Sequence, residues 1–184
     1  MEVAEQVRGK INGTGIVSFM AAAPLAKLEQ YFGRRVERAM TNLGLDSISC
    51  TGGGRTVELL KKLTRGELLE VVGDQKIDLF TIAIGCLPGV AAWFFEHHSE
   101  EAEKWLKEWI KFMREKTAIN EKLFAKIIED TKRKGDYDKT VKSVMTPGGV
   151  TEAMIKKLEE DSKAELEEIL LVAIDRTEKM ASKV

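Results

Sequence analysis

The stretch that decides the fold of this chain is "TPGGVTEAMIKKLEE", residues 146–160. Pro147 fixes one backbone angle, and Gly148 and Gly149 can both take positive φ, so the opening residues predict a tight turn. Thr151 is a favoured N-cap, whose hydroxyl can accept a hydrogen bond from a free amide of the helix that follows. Two interpretations are open at this point. The turn is either a plain connection between helices or a cradle whose backbone N–H groups bind a carboxylate or phosphate.

The sequence from Asp74 onward is helical almost throughout. Its longest apolar run, residues 79–95, contains Pro88, which lacks an amide donor and must bend or interrupt a helix. The run is too short and too broken for a membrane span. We therefore predict an all-helical domain over residues 74–184. Apolar stripes at helical spacing mark its other helices: Trp105, Leu106, Trp109, Ile110, Phe112 and Met113, then Leu123, Phe124, Ile127 and Ile128, then Leu166, Ile169, Leu170, Ala173 and Thr177.

The first third of the chain alternates between strand and helix patterns. Pro24 can occupy the first position of a helix that Gly33 is placed to end. A glycine run, "TGGG" at residues 51–54, leads into a second helix around "TVELLKKL". Residues 1–73 are therefore predicted to form a small α/β lobe, which makes the fold class α+β. The predicted strands are "IVSFMAAA" (16–23), "RVERAM" (35–40), "DSISC" (46–50) and "ELLEVV" (67–72).

Composition and charge exclude several classes of partner. The chain has 184 residues, 32% of them charged, and a formal net charge of -1. The two signs are therefore mixed, and no basic face is expected for nucleic acid or an anionic membrane. The N-terminal segment "MEVAEQVRGK" opens with acidic residues and lacks the apolar core of a secretory signal. We expect a soluble cytoplasmic protein.

The residue types that carry most enzyme chemistry are sparse. Cys50 and Cys86 lie far apart without a CxxC pattern, which predicts free, buried thiols and no metal site. His97 and His98 are adjacent, about 100° apart on a helix, so they cannot share one metal ion at i, i+4 spacing. They are expected at a helix end. The "TGGG" run lacks the spacing of a phosphate-binding loop. We predict no catalytic residue.

Four segments, in order, resemble the pyrroline-5-carboxylate reductase family. The turn stretch, followed by the helix "EEILLVAIDRTEKM", is similar to the family's Ser/Thr-Pro-Gly-Gly-x-Thr turn, which opens a helix of the C-terminal dimerisation domain. Three earlier segments resemble a late Rossmann strand with its helix, a segment of the form R-V-x-R-x-M-P-N-T-P and a G-S-G-P-A-Y helix start. They are "GTGIVSFMAAAPLAKLEQYFG", "RVERAMTNLG" and "GCLPGVAAWFFE".

The resemblance implies a specific architecture and site. It implies a truncated Rossmann-like lobe over residues 1–73 and a helical dimerisation domain over 74–184 that interlocks with a second copy. In that family, an NAD(P)H-dependent reductase, the Pro-Gly-Gly turn holds the carboxylate of an imino acid. The positions that match are Gly148, Gly149 and Thr151 for substrate. Asn42, in a loop at the end of a strand, matches a position near the cofactor.

The sequence differs from the family pattern at several positions, and these differences change the function that we expect. No segment corresponds to the G-x-G-x-x-G/A turn that opens the family's nucleotide lobe. The family's Gly-Ser-Gly-Pro is Gly85-Cys86-Leu87-Pro88 here, and Pro-Asn-Thr-Pro is Thr41-Asn42-Leu43-Gly44. Glu152 follows Thr151 directly, where a carboxylate would repel an anionic ligand.

Three functional hypotheses follow. The first is a reductase-like homodimer that lacks the dinucleotide fingerprint, so that as a lone chain it has no reductase activity and no cofactor. The second is a working NAD(P)H-dependent imino-acid reductase of proline biosynthesis, with NADP implied by the resemblance and the N-terminal half absent from this sequence. The third is a protein that binds a small carboxylate without a cofactor.

Overall fold

The computed structural model of the chain describes residues 15–42, 44–45, 47–64, 68–117 and 119–183. The sequence also predicts a helix from the spacing of Val3, Val7 and Ile11, and these residues lie outside the described ranges. Contacts group the described residues into two units, one reaching Ile77 and including those from Glu178 onward, the other Asp78–Thr177. The first contains a small mixed sheet and the second is helical, which confirms the α+β class. The domain boundary after residue 73 stays a prediction.

The sheet of the first unit has four short strands in the order β1-β2-β3-β4. The β1 and β2 strands are parallel, β2 and β3 are antiparallel, and β3 and β4 are parallel. All four residues of β3 are buried, as expected for a strand with a neighbour on each side. The strands are β1 (Ile16–Ser18), β2 (Val36–Thr41), β3 (Ser47–Cys50) and β4 (Leu68–Val71).

The prediction of one strand over residues 16–23 was wrong, because β1 ends at Ser18. The Ser18 hydroxyl accepts a hydrogen bond from the amide of Met20 at 3.2 Å, a local bond that competes with strand pairing. Ala22 then takes a left-handed φ of 56°. The rest of the apolar run therefore turns, and Ala22 and Ala23 are buried in the turn.

The two helices of the first unit are α1 (Leu25–Phe32) and α2 (Arg55–Leu63). Pro24 is the N-cap of α1 and not its first residue, since its carbonyl accepts from the amides of Lys27 and Leu28 at 3.1 Å. Gly33 ends α1 with a φ of 65°, as predicted. One apolar cluster joins the sheet to α1 through Leu28 and Val36, and another joins it to α2 through Ala39, Ile48 and Leu60.

An ion pair between a buried arginine and a half-buried aspartate also holds the first unit together. The Arg38 side chain is 1% exposed, and its guanidinium donates to Asp74 Oδ1 at 2.7 Å. The other carboxylate oxygen of Asp74 accepts from the amide of Leu25 at 3.1 Å. One carboxylate therefore links strand β2 to the start of α1.

The helical run predicted to break at Pro88 does so. Helix α3 (Asp74–Phe80) leads into a π-helical turn (Thr81–Gly85), and α4 (Leu87–His97) begins with Pro88 in its first turn. The combined stretch Asp74–His97 is long and apolar enough to cross a membrane, but 83% of its most apolar window is buried inside the protein. This is the burial expected of a core helix.

Helix α4 is the centre of the second unit. Every residue from Leu87 to Phe95 is buried, because α4 packs against four other helices, α5 to α8. Its last residue is His97 and its C-cap is His98, which confirms the predicted position of the two histidines. The remaining helices are α5 (Ser99–Thr117), α6 (Glu121–Lys134), α7 (Tyr137–Val144), α8 (Val150–Glu160) and α9 (Leu166–Ser182).

Candidate functional site

The turn between α7 and α8 forms as the sequence predicts. The Gly149 amide donates to the Thr146 carbonyl at 2.8 Å, which closes a four-residue turn. Pro147 is second and Gly148 third, with a φ of 69°, the arrangement of a type II turn. Gly149 does not use a positive φ, since its φ is -89°.

Thr151 does not cap helix α8, contrary to the sequence-based expectation. The N-cap is Gly149, two residues before Thr151, and the helix begins at Val150. The Gly149 carbonyl accepts from the Ala153 amide at 3.2 Å. Thr151 is therefore inside the first turn, where its side chain is 6% exposed and its hydroxyl bonds to the Cys86 thiol.

A carboxylate of the chain itself binds the turn. The Gly148 amide donates to Glu152 Oε2 at 2.6 Å, and Lys156 Nζ lies 3.1 Å from the other oxygen, Oε1. These two contacts, that of Lys156 first, hold the pKa of Glu152 below its usual range. The sequence suggested that Glu152 would repel a ligand at this turn. The structure shows instead that Glu152 takes the amide such a ligand would use.

Arg176 binds the carbonyl of the same residue, Gly148. Its Nε donates to the Gly148 carbonyl at 2.6 Å, and a second guanidinium nitrogen donates to the same oxygen. A side chain of α9 therefore ties that helix to the turn before α8. Gly148 is bonded through its amide to Glu152 and through its carbonyl to Arg176.

Two backbone amides of the turn remain for another acceptor. Hydrogen bonds within the described residues take up the N–H groups of Gly148 and Gly149. No such bond takes up those of Val150 and Thr151, in the part of the chain that the structure describes. The cradle predicted over residues 148–151 is thus half satisfied by the protein.

The Cys86 thiol beside the turn is inert. Burial raises the pKa of Cys86 to about 11, and the hydrogen bond from Thr151 offsets only part of that effect. Burial also raises the pKa of Cys50. The thiolate is the reactive form of cysteine, so neither side chain is poised as a nucleophile.

Helix α4 approaches the turn closely at Gly89. A Cβ atom on Gly89 would lie 2.5 Å from Val144 Cγ2 and 2.9 Å from Thr151 Cγ2. Glycine therefore allows α4 to contact both α7 and α8. Two of the segments quoted for the family resemblance, around Cys86 and around Thr151, meet at this contact.

Asn42, predicted to lie near a cofactor, closes the loop between β2 and β3. Its Oδ1 accepts from the amide of Ser47 at 3.2 Å, and its carbonyl accepts from the amide of Leu45 at 3.0 Å. The side chain is 5% exposed. Asn42 belongs to the first unit and the turn to the second. Its predicted role in cofactor binding stays a prediction.

The glycine run before α2 has a packing role at Gly52. A Cβ atom there would lie 2.2 Å from a carboxylate oxygen of Glu37. Gly54 is the N-cap of α2 with a φ of 50°. A cavity of about 450 Å³ borders the start of this helix at Arg55 and Thr56. Within the described ranges no cluster of three or more His, Cys, Asp or Glu side chains could hold a metal ion.

Sequence reasoning missed Arg176 and the contact between Cys86 and Thr151. Arg176 lies 28 residues from Gly148, and its only signal is its position beside the buried stripe of Ala173 and Thr177. The Cys86 contact had a signal, because both residues occur in segments quoted for the resemblance. Spacing alone could not show that these segments touch.

Comparisons with known proteins add little evidence about the family or function of this chain. No family model matches this sequence, and no curated protein sequence matches it. The fold is similar to a crystal structure of Plasmodium falciparum pyrroline carboxylate reductase with NADP bound, at 13% sequence identity and a TM-score of 0.45. The match covers 98% of this chain and 74% of that chain. A likeness of this degree assigns no function.

Proposed function

We propose that this chain is a reductase-like, non-catalytic cytoplasmic protein whose Pro-Gly-Gly turn serves as a structural joint between helices. The bond from the Gly148 amide to Glu152, at 2.6 Å, carries the proposal. It fills the position where the sequence resemblance places a substrate carboxylate. Arg176 donates to the carbonyl of the same residue, so Gly148 is held through both its amide and its carbonyl.

The chemistry around the turn also favours a structural role. The thiol that bonds to Thr151, Cys86, is buried with its pKa raised to about 11. Hydride transfer would need a bound nicotinamide, with the protein positioning the two reactants. Glu152 and Arg176 instead bond to the backbone of Gly148.

Fluorescence titration with NADPH tests the non-catalytic proposal directly. We expect no saturable change in NADPH fluorescence over the micromolar range and no oxidation of NADPH when pyrroline-5-carboxylate is added. Excess NADP⁺ serves as the competitor that identifies a specific signal. Saturable binding that NADP⁺ displaces, together with turnover, would establish the alternative, a working NAD(P)H-dependent reductase.

The proposal includes a homodimer formed through the helical domain. The order of the resembling segments supports it, because in that family the matching domain interlocks with a second copy. Light scattering across a range of protein concentrations is the test. We expect twice the chain mass at every concentration, since interlocked helices separate only on unfolding. A well-folded monomer would contradict this part of the proposal.

A second candidate function is the binding of a small carboxylate. The amides of Val150 and Thr151, which donate to no acceptor within the described ranges, favour it, as does the fact that the turn already accommodates a carboxylate. Replacing the Glu152 carboxylate should then free the Gly148 amide for a ligand carboxylate. We would expect L-proline to raise the melting temperature of Glu152→Gln more than that of the unchanged protein. No shift in either protein excludes this candidate.

A further inference from the structure

The central peptide of the turn at residues 146–149 joins Pro147 to Gly148. A type II turn differs from a type I turn mainly by a half rotation of this peptide. The rotation takes the φ of the third residue from about +80° to about −90°, and Gly148 has a φ of 69°. Glycine adopts either sign of φ about as readily, and proline at the second position suits both turn types. The residues of the turn therefore allow either orientation of the Pro147–Gly148 peptide.

Two of the hydrogen bonds that hold the turn do not distinguish these orientations. The Gly149 amide donates to the Thr146 carbonyl at 2.8 Å, a bond that both turn types form. Arg176 Nε donates to the Gly148 carbonyl at 2.6 Å, and that carbonyl belongs to the next peptide, between Gly148 and Gly149. Neither bond involves the peptide that would rotate.

The Glu152 side chain does bond to the peptide that would rotate. Its Oε2 accepts from the Gly148 amide at 2.6 Å. In a type I turn this N–H would point away from Glu152, and the carbonyl of Pro147 would take its place. A carboxylate can only accept hydrogen bonds, whereas a protonated carboxyl group can also donate one. The charged side chain therefore matches the type II turn alone, and the neutral side chain also matches a type I turn.

We propose that Glu152 and the Pro147–Gly148 peptide form a proton-linked conformational switch. When Glu152 is charged, it binds the Gly148 amide and the turn is type II. When Glu152 takes up a proton, this bond loses its charge assistance, the peptide rotates, and the carboxyl group donates to the Pro147 carbonyl. The switch goes beyond the structural joint proposed above, because it gives that joint two states.

Two cations act on the Glu152 carboxylate and determine the pH at which the peptide rotates. Lys156 Nζ, on the same helix, lies 3.1 Å from Oε1, and the guanidinium of Arg176 on α9 adds a weaker attraction. The contact with Lys156, followed by the bond from the Gly148 amide, lowers the pKa of Glu152. Stability from a carboxyl group with a lowered folded pKa is present above the unfolded pKa and is lost as pH falls through the folded pKa. We therefore expect the type II turn at neutral pH and the rotation only in acid.

NMR spectroscopy of the full chain measures the rotation directly. The Hα of Pro147 and the amide proton of Gly148 are close together in a type II turn and further apart in a type I turn, so the NOE between them reports the turn type. We expect a strong NOE at neutral pH that is lost as Glu152 titrates, while other amides of α8 keep their folded shifts. Lys156→Met should move the midpoint of this loss to higher pH. An NOE that stays constant while the Glu152 carboxyl carbon titrates would overturn the proposal.

A pair of substitutions tests the same switch at constant pH. Gly148→Ala strains a type II turn, where φ is positive, but suits a type I turn. It should lower the equilibrium constant for folding about thirtyfold in the unchanged chain, but only about threefold in Glu152→Ala, where the peptide is free to rotate. Glu159→Ala, which removes an exposed carboxylate from the same helix, is the matched control and should leave the thirtyfold loss unchanged. A loss as large in Glu152→Ala as in Glu159→Ala would show that Glu152 does not hold the turn in its type II form.

Discussion

At the scale of single residues, Gly148 is the position where backbone geometry matters most. Its φ of 69° suits glycine, and a side chain there costs about 1–2 kcal/mol. A Cβ atom would also lie 2.8 Å from a guanidinium nitrogen of Arg176. We predict that Gly148→Ala lowers the free energy of unfolding by about 2 kcal/mol, measured by urea denaturation.

Gly53→Ala is the control for that substitution. Gly53 has no left-handed φ, and a Cβ atom there meets no other atom within 4 Å. Its free energy of unfolding should stay within about 0.5 kcal/mol of the unchanged value. Equal effects at the two glycines would show that the turn imposes no special backbone requirement.

Cys86 predicts a loss of stability at alkaline pH. The folded state holds the thiol proton until about pH 11, whereas an unfolded thiol releases it nearer pH 8.5. Stability from this group is therefore complete below the unfolded pKa and falls as pH rises towards 11, by up to about 3 kcal/mol. Denaturation curves at several pH values should show a shallower decline in Cys86→Ala. Identical slopes in both proteins would contradict a buried, protonated thiol.

The turn at residues 146–149 could be predicted from sequence because its requirements are local. Proline and glycine set the allowed backbone angles whatever surrounds them. The partners of the turn could not be predicted, because they depend on packing. Thr151 was assigned to a cap but is directed to Cys86, and Arg176 reaches the turn from another helix.

At the scale of helices and strands, the closest contact involves Gly89. The 2.5 Å separation between a Cβ atom at this position and Val144 leaves no room for alanine. Forcing extra atoms into a packed core typically costs about 1–3 kcal/mol. We predict that Gly89→Ala lowers the melting temperature and the free energy of unfolding by this amount.

A second substitution tests whether the clash with Val144 causes the loss of stability in Gly89→Ala. Adding Val144→Ala to Gly89→Ala removes the clashing methyl group and should recover part of the lost stability, beyond the additive expectation. Gly85→Ala is the control, since the nearest atom to its Cβ position is 3.6 Å away. If Gly85→Ala lowers the free energy of unfolding as much as Gly89→Ala does, close packing between helices does not explain the effect of Gly89→Ala.

Element boundaries were predictable where the residues impose them. Pro88 cannot continue a helix, and α4 restarts beside it; Gly33 adopts the left-handed conformation that ends α1. The apolar run at residues 16–23 misled because hydrophobicity alone does not distinguish a strand from a buried turn. In this run the Met20 amide donates to the Ser18 hydroxyl, a local bond formed where strand β1 ends.

At the scale of the whole molecule, the small sheet depends on an ion pair made by a buried arginine. Replacing Asp74 removes the carboxylate that lies 2.7 Å from the 1% exposed Arg38, and breaking an ion pair at a buried charge costs about 3 kcal/mol. We predict that Asp74→Asn loses about this amount in chemical denaturation. Asp130→Asn, which breaks an exposed pair with Arg133, should cost under about 1 kcal/mol. Equal losses of stability in Asp74→Asn and Asp130→Asn would show that the Arg38–Asp74 pair contributes no more than an exposed pair.

The central claim is that Glu152 of the chain itself occupies the Gly148 amide of the predicted carboxylate cradle, and the amide resonance of Gly148 tests it most directly by NMR. Its proton shift should change as pH falls and Glu152 takes up a proton, below the usual range for a glutamate. The change should be absent in Glu152→Gln, and L-proline at neutral pH should leave the resonance unmoved. A Gly148 amide that ignores the protonation of Glu152 but shifts saturably with L-proline would contradict the account.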